Sequence, residues 1–184
     1  VTRSFPGDPV PEQSRVLSAD VGGLRLVNLY VVNGKEVGTE HYDIKLAWLD
    51  ALYAWLDGDH RPDQPLVLTG DFNIAPEARD VWDPKRYAGR VHFSLPERKR
   101  LNRMLDWGLS DMLRLHTEEA GLYSWWDYRH GAFPKGRGLR LDLFLGTESV
   151  ARRSVSVTVD TEERKQKSGP GKPSDHAPVI LELE

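Results

Sequence analysis

The sequence predicts an α/β protein, and three observations carry that prediction. Pro65-Leu-Val-Leu-Thr69 is a short apolar run stopped by Gly70, which reads as a buried strand. Leu24 to Val32 alternates like a strand and Glu40 to Leu56 repeats at helical spacing, so residues 24–71 read as β–α–β. Downstream, Ser154 to Val159 and Val179 to Leu183 are again strand-like. The 184 residues suit one domain with a substantial core, and residues 1–184 are read as one.

In chain order, residues 1–15 hold three prolines and form an irregular lead-in. Arg15 to Ala19 is a first strand, Gly22-Gly23 a turn, and Leu24 to Val32 the returning strand of a hairpin. Its Leu24, Leu26, Asn28 and Tyr30 share one face, while Arg25, Val27, Leu29 and Val31 share the other. In the helix, Leu46, Leu49, Tyr53 and Leu56 form a stripe that Ile44, Trp48, Leu52 and Trp55 widen, as expected for packing on a sheet. Asp57-Gly58-Asp59 ends it. Residues 75–93 are loop-like, and Ser94-Leu-Pro-Glu97 opens a second helix with a capping box, running to about Trp107. Leu139 to Leu145 reads as a strand, residues 161–174 as a mobile loop, and Val179 to Leu183 as the last strand.

Polar residues at the ends of these strands supply the candidate chemistry. Asp71 and Asn73 leave the central strand together, and in extended chain their side chains point the same way. That pairing suits a hydrated metal, a phosphate or an attacking water, and equally an ordinary turn. Asp142 interrupts an otherwise greasy strand, which is costly unless it is paired or functional. Between Lys85 and Arg103 stand seven Lys or Arg and one acidic residue, either a solvated face or a track for a phosphate backbone. The formal charge of -3 forbids no partner. The absence of cysteine excludes disulfide and thiolate chemistry and fits a reducing cytoplasm. No apolar run approaches the ~20 residues of a membrane span, so no membrane partner is expected.

Four motifs stand in order: Tyr30-x-x-Asn33-Gly34, Gly70-Asp71-Phe72-Asn73, Leu139-Arg140-Leu141-Asp142 and Ser174-Asp175-His176-Ala177-Pro178. With them, from Arg15 to the end, the chain resembles the exonuclease III family of DNA repair nucleases, within the endonuclease/exonuclease/phosphatase superfamily. The resemblance implies two packed mixed β-sheets flanked by helices, a four-layer α/β/β/α sandwich. It implies Mg²⁺ or Mn²⁺ as cofactor and duplex DNA with abasic sites or 3′ ends as substrate, in base excision repair. The activities implied are abasic-site incision and 3′-to-5′ exonuclease.

The resemblance also assigns roles. His176 contacts the scissile phosphate, and Asp175 orients it or binds metal. Asp71 orients or deprotonates the attacking water; Asn73 holds phosphate and water, and both join Asp175 as candidate metal ligands. Tyr30 contacts phosphate or the departing oxygen, and Asp142 orients His176. Asn33 is a further phosphate contact. Trp125, Leu139 and Leu141 match the apolar pocket for an abasic sugar, and Arg129, Lys135 and Arg137 lie in the loop that meets DNA.

One departure bears on these roles. The family has a longer N-terminal part with an Asn-bearing strand and a metal-ligand glutamate, and this sequence begins after both, so the domain reads as incomplete at that end. The expected consequences are weaker cation binding and an uncovered sheet face or edge that invites a homodimer. A competing reading is a DNA-binding remnant without turnover, and a third is a phosphatase of small phosphoesters.

Overall fold

A computed structural model describes residues 1–165 and 171–184. Its strands are β1 (Val16–Val21), β2 (Leu24–Tyr30), β3 (Leu66–Asp71), β4 (Leu109–Asp111), β5 (Asp142–Thr147), β6 (Ser154–Val159) and β7 (Val179–Leu183). Its α-helices are α1 (Glu40–Asp59), α2 (Pro84–Tyr87), α3 (Leu95–Trp107) and α4 (Glu148–Ala151). Five strands form a mixed sheet in the order β1-β2-β3-β5-β4, and β6 and β7 form a second, antiparallel sheet. β2 and β3 run parallel with α1 as their crossover, the predicted β–α–β unit.

Period-two alternation distributes β3 between two cores. Leu66 and Leu68 face the helices, among Trp48, Leu49, Leu52 and Leu56 of α1 and Leu101 and Met104 of α3. Val67 faces the other way, with Met112, Val157, Phe144, Val179 and Leu181, and seals the two sheets together. The layers are therefore helix, sheet and sheet, and the site lies at the ends of the central strands.

Several local expectations shift. The capping box of α3 forms, with Ser94 accepting from the Glu97 amide, yet Glu97 is also fully buried. The buried stripe of α1 includes Tyr42 and Lys45, which the apolar pattern passed over. The strand expected from Leu139 starts at Asp142; Leu139 instead bridges Trp125 and Val81. Short β4 went unread because three residues carry too little periodicity. The loop expected over residues 161–174 includes residues 166–170, which lie outside the described residues. No helix among the described residues is long and apolar enough to cross a membrane.

Candidate active site

Strand register builds the centre of the site. Tyr30 of β2 pairs with Asp71 of β3, and Asp71 pairs with Asp142 of β5. Residues paired directly across strands share a face, so three separate motifs become one row. Gly70 permits this closeness: it holds a left-handed φ of 111°, and a Cβ there would sit 2.2 Å from the Leu29 carbonyl oxygen. The row opens into a cavity of about 650 Å³ whose walls include Asn28, Asn33, Asn73, His92, Trp125, Leu141, Asp175 and His176.

Asp71 and Asp142 are like charges facing across a strand pair. Burial first, and then the neighbouring Asp142 charge, push the Asp71 carboxyl up to about 6. Asp142 Oδ2 accepts a 2.8 Å hydrogen bond from His176 Nδ1. Because a carboxylate can only accept, this contact fixes the imidazole's Nδ1–H and leaves Nε2 for a ligand. Burial works to lower the pKa of His176, but the Asp142 hydrogen bond and charge, with Asp71 and Asp175, overcome it and raise it.

Asn73 lies close to Asp71 for a different reason than extended spacing. Its φ is 51°, so the chain has turned, and Asp71 Oδ1 accepts from the Asn73 backbone amide. The Asn73 side-chain NH₂ then donates to Asp71 Oδ2 at 2.8 Å and to the Val31 carbonyl at 3.0 Å. Its amide oxygen accepts from Asn33 Nδ2. Both donors are committed to the protein, so in this structure Asn73 clamps Asp71 and only its amide oxygen keeps a lone pair for a ligand. Asn33 keeps one side-chain N–H beyond its bond to Asn73.

Of the two roles expected of Asp175, the first goes to another residue. Asp175 does not orient His176, whose Nδ1 is held by Asp142; instead its Oδ2 accepts from Trp125 Nε1 at 3.0 Å. Trp125 and Leu141 line the cavity, whereas Leu139 is fully buried in the cluster behind Trp125 and is no part of the wall. His92 stands there instead, its ring centroid 6.2 Å from that of Trp125. Burial first, and then the Lys45 charge, push its pKa down to about 4, so it is neutral at pH 7. The Asn73 carbonyl can only accept from Nδ1 (2.8 Å), which leaves His92 Nε2 as an acceptor.

Beneath the cavity lies a buried ion pair that sequence reasoning missed. Lys45 Nζ donates to Glu97 Oε1 at 2.5 Å, to the Asn73 carbonyl at 2.7 Å and to the Asn33 carbonyl at 3.2 Å. Both side chains have no solvent exposure. Asn28 was missed as a site residue too, although its place two residues before Tyr30 on one strand face was a readable signal. Tyr30 is half exposed, with the Arg15 guanidinium 4.7 Å from its ring.

The basic residues separate into spent and free. Arg100 pairs with Asp50 and donates to the Leu46 carbonyl; Arg103 lies 3.6 Å from the Tyr53 ring, and Arg98 4.5 Å from that of Phe93. The Lys85–Arg103 run is thus no single track. In the basic loop, Arg129 pairs with Asp127, Lys135 donates to the His130 carbonyl, and the Arg137 guanidinium lies 5.1 Å from the Trp82 ring.

The donor set suits a hard divalent cation, because the cavity offers the carboxylates of Asp71, Asp142 and Asp175 and only two imidazoles. Among the described residues no three acidic or histidine side chains gather closely enough to enclose a metal.

A two-sheet α/β sandwich with carboxylates, asparagines and a carboxylate-held histidine at the ends of its central strands defines a class, the endonuclease/exonuclease/phosphatase fold. A sequence model of the Endonuclease/Exonuclease/phosphatase family matches residues 2–176, and the chain belongs to that family. Exodeoxyribonuclease III of Haemophilus influenzae is 32% identical over 196 residues, covering 100% of this chain and 72% of its own. The solved structure of a 3′-5′ exonuclease (NExo) from Neisseria meningitidis superposes with a TM-score of 0.91 at 38% identity, covering 100% of this chain and 70% of that one. An AP endonuclease from Archaeoglobus fulgidus gives 0.89 at 33%, covering 99% and 70%. The chain spans about seven tenths of the length of each of these relatives.

Proposed function

We propose that the chain is a DNA phosphodiester hydrolase, an abasic-site endonuclease and 3′-to-5′ exonuclease that uses Mg²⁺ or Mn²⁺. The observation that carries this reading is the row Tyr30–Asp71–Asp142 opening beside His176 into one cavity walled by Trp125. Asp71, clamped by Asn73, accepts a proton from the attacking water and aims it. His176, held by Asp142, presents Nε2 to a non-bridging phosphate oxygen, and the free N–H of Asn33 binds another. Tyr30, at the exposed end of the row, donates to the departing oxygen. Asp71 and Asp175 are the residues that would hold the cation, with Asn28 beside them. Bound there, the cation supplies charge stabilisation to the phosphoryl and leaving oxygens. Trp125 and Leu141 accept the sugar of an abasic nucleotide, and Arg129, Lys135 and Arg137 the neighbouring backbone.

His92 favours a second weighting of the same chemistry. With Leu139 withdrawn and an imidazole at the wall, the space beside Trp125 is more polar than an all-apolar pocket. That favours action at 3′ ends over incision within a strand, because a terminal nucleotide is free to adjust its pose.

The test is cleavage of one duplex carrying an abasic analogue and one carrying a recessed 3′ end, titrated with Mg²⁺ and Mn²⁺ beside EDTA and Asp71→Asn controls. EDTA-sensitive cleavage lost in the variant supports the reading, and the ratio of the two rates weighs incision against end trimming. Binding without cleavage at every metal concentration would sink the hydrolase reading.

A further inference from the structure

Tyr30 ends the catalytic row half exposed, and among the described residues no hydrogen bond holds its hydroxyl. We propose that Arg15 is the residue that positions it, bracing the ring so that the phenol O–H meets the oxygen that departs from phosphorus. This rests on the reading of the chain as a DNA hydrolase in which Tyr30 serves the leaving group.

The brace follows from strand pairing. β1 and β2 are antiparallel with Val16 opposite Leu29, so one step further along puts Arg15 opposite Tyr30, where paired side chains share a face. The Arg15 carbonyl accepts from the Tyr30 amide at 2.8 Å, and Arg15 Nη1 donates to the Tyr30 carbonyl at 3.0 Å. The backbone N–H and C=O of Tyr30 are thus both bonded to Arg15. The guanidinium carbon lies 4.7 Å from the ring centroid. Arg15 Nε donates to Gln13 Oε1 at 2.8 Å, which anchors the fork to a further group.

Location separates this contact from ordinary surface packing. An exposed phenol without a hydrogen bond samples several staggered rotamers, whereas donation to a reacting atom needs one of them. A cation over the ring face favours the rotamer it covers. Tyr30 lines the catalytic cavity and Arg15 does not, so Arg15 acts through Tyr30 and not on the substrate. Arg103 also lies over a tyrosine, Tyr53. That ring packs against the helix-side core and forms no part of the cavity wall. The Tyr30 ring, by contrast, belongs to the row it shares with Asp71 and Asp142.

The experiment is single-turnover cleavage, at saturating enzyme, of two abasic duplexes that differ in the departing atom: the natural bridging oxygen, or sulfur in its place. A thiol ionises near pH ~8.5, so a departing thiolate needs no proton donor. Arg15→Gln should slow the oxygen substrate about tenfold and leave the sulfur substrate almost unchanged. Tyr30→Phe should show the same pattern with a larger loss, about 10²-fold. Arg15→Lys keeps the cation without the fork and should recover part of the glutamine variant's loss. Adding Arg15→Gln to Tyr30→Phe should cost nothing further, because no hydroxyl is left to aim. Thermal melts and duplex binding in EDTA should be unchanged in Arg15→Gln. No slowing by Arg15→Gln, equal slowing of both substrates, an undiminished loss in the Tyr30→Phe background, or weakened duplex binding would each overturn the brace while leaving the hydrolase reading intact. A Tyr30→Phe variant that slows neither substrate would remove the leaving-group role and the brace together. No cleavage by wild type would overturn the hydrolase reading as well.

Discussion

Lys45, beneath the catalytic cavity, and Arg137, at the neighbouring cavity that shares Trp125, are treated in opposite ways. Lys45 lies on the floor, with no exposure and three protein oxygens around its ammonium. Arg137 lies on the rim, exposed, with an indole face for its contact. The same division runs through the neighbours. On the floor, Asn73 spends both N–H groups on Asp71 and Val31, and Glu97 accepts from Lys45, Ser94 and the His92 amide. On the rim, Arg86 and Arg137 form no ion pair among the described residues and lie 5.7 Å and 5.1 Å from the Trp82 ring. A polar group satisfied inside the protein holds geometry, whereas one left open at the surface is available to a ligand. The floor therefore sets where Asp71 points, and the rim sets what is held above it.

The largest effect expected from breaking the floor is chemical. Asp71→Asn should slow cleavage by about 10²–10⁴-fold, read in single-turnover assays, with duplex binding in EDTA almost unchanged. Equal activity would remove Asp71 from the mechanism. Next is Lys45→Met, which strands a buried carboxylate and should cost about 3–5 kcal/mol in urea denaturation. Adding Glu97→Gln should recover part of that loss, and a neutral single variant would show that the floor is not held by this pair.

The pH response sharpens the comparison, because its source lies on the floor. Asp71 is raised from 3.8 to about 6 in the folded protein, so the folded state holds that proton more tightly than the unfolded one. Its contribution to stability is therefore full at low pH and is lost as pH rises from about 4 to 6. Cleavage, which needs the ionised carboxylate, should rise with its midpoint near the folded pKa of about 6 and level off roughly one pH unit above it. The folded pKa of His176 is also raised, from 6.5, so its stabilisation is present below 6.5 and lost as pH rises through the folded value. Urea midpoints of wild type and His176→Gln should differ more at pH 6 than at pH 8.5; an equal gap would remove this coupling.

Smaller effects belong to the wall between the two regions. Trp125→Ala should lower abasic-over-intact selectivity several-fold, since it opens the wall and frees Asp175 from its indole partner. Uniform loss on both substrates would make Trp125 a packing residue alone.

Much of the site was legible because strand ends and polar interruptions are local features. The run before Gly70, the Asp in a greasy strand and the Asp-His pair could each be picked out from neighbouring residues. Lys45 was not legible, since a lysine in an amphipathic helix reads as solvent-facing and its partner Glu97 lies 52 positions away. Glu97 hid behind its capping role, and His92 gave no periodic or motif signal. Leu139 read as a pocket residue through the family resemblance; a bridge to Trp125 turned it inward.

By itself, the sequence determined the α/β class, the β–α–β unit, the helix cap at Ser94 and the kinds of chemistry available, because these depend on spacing and composition over a few residues. The tertiary structure alone decided which groups meet. Cross-strand register set Tyr30, Asp71 and Asp142 side by side, a turn at Asn73 aimed its amide at Asp71, and helix packing buried Lys45 against Glu97. Those outcomes depend on contacts between distant segments, where the cost of burying a charge or pairing like carboxylates is settled by what the rest of the fold brings alongside.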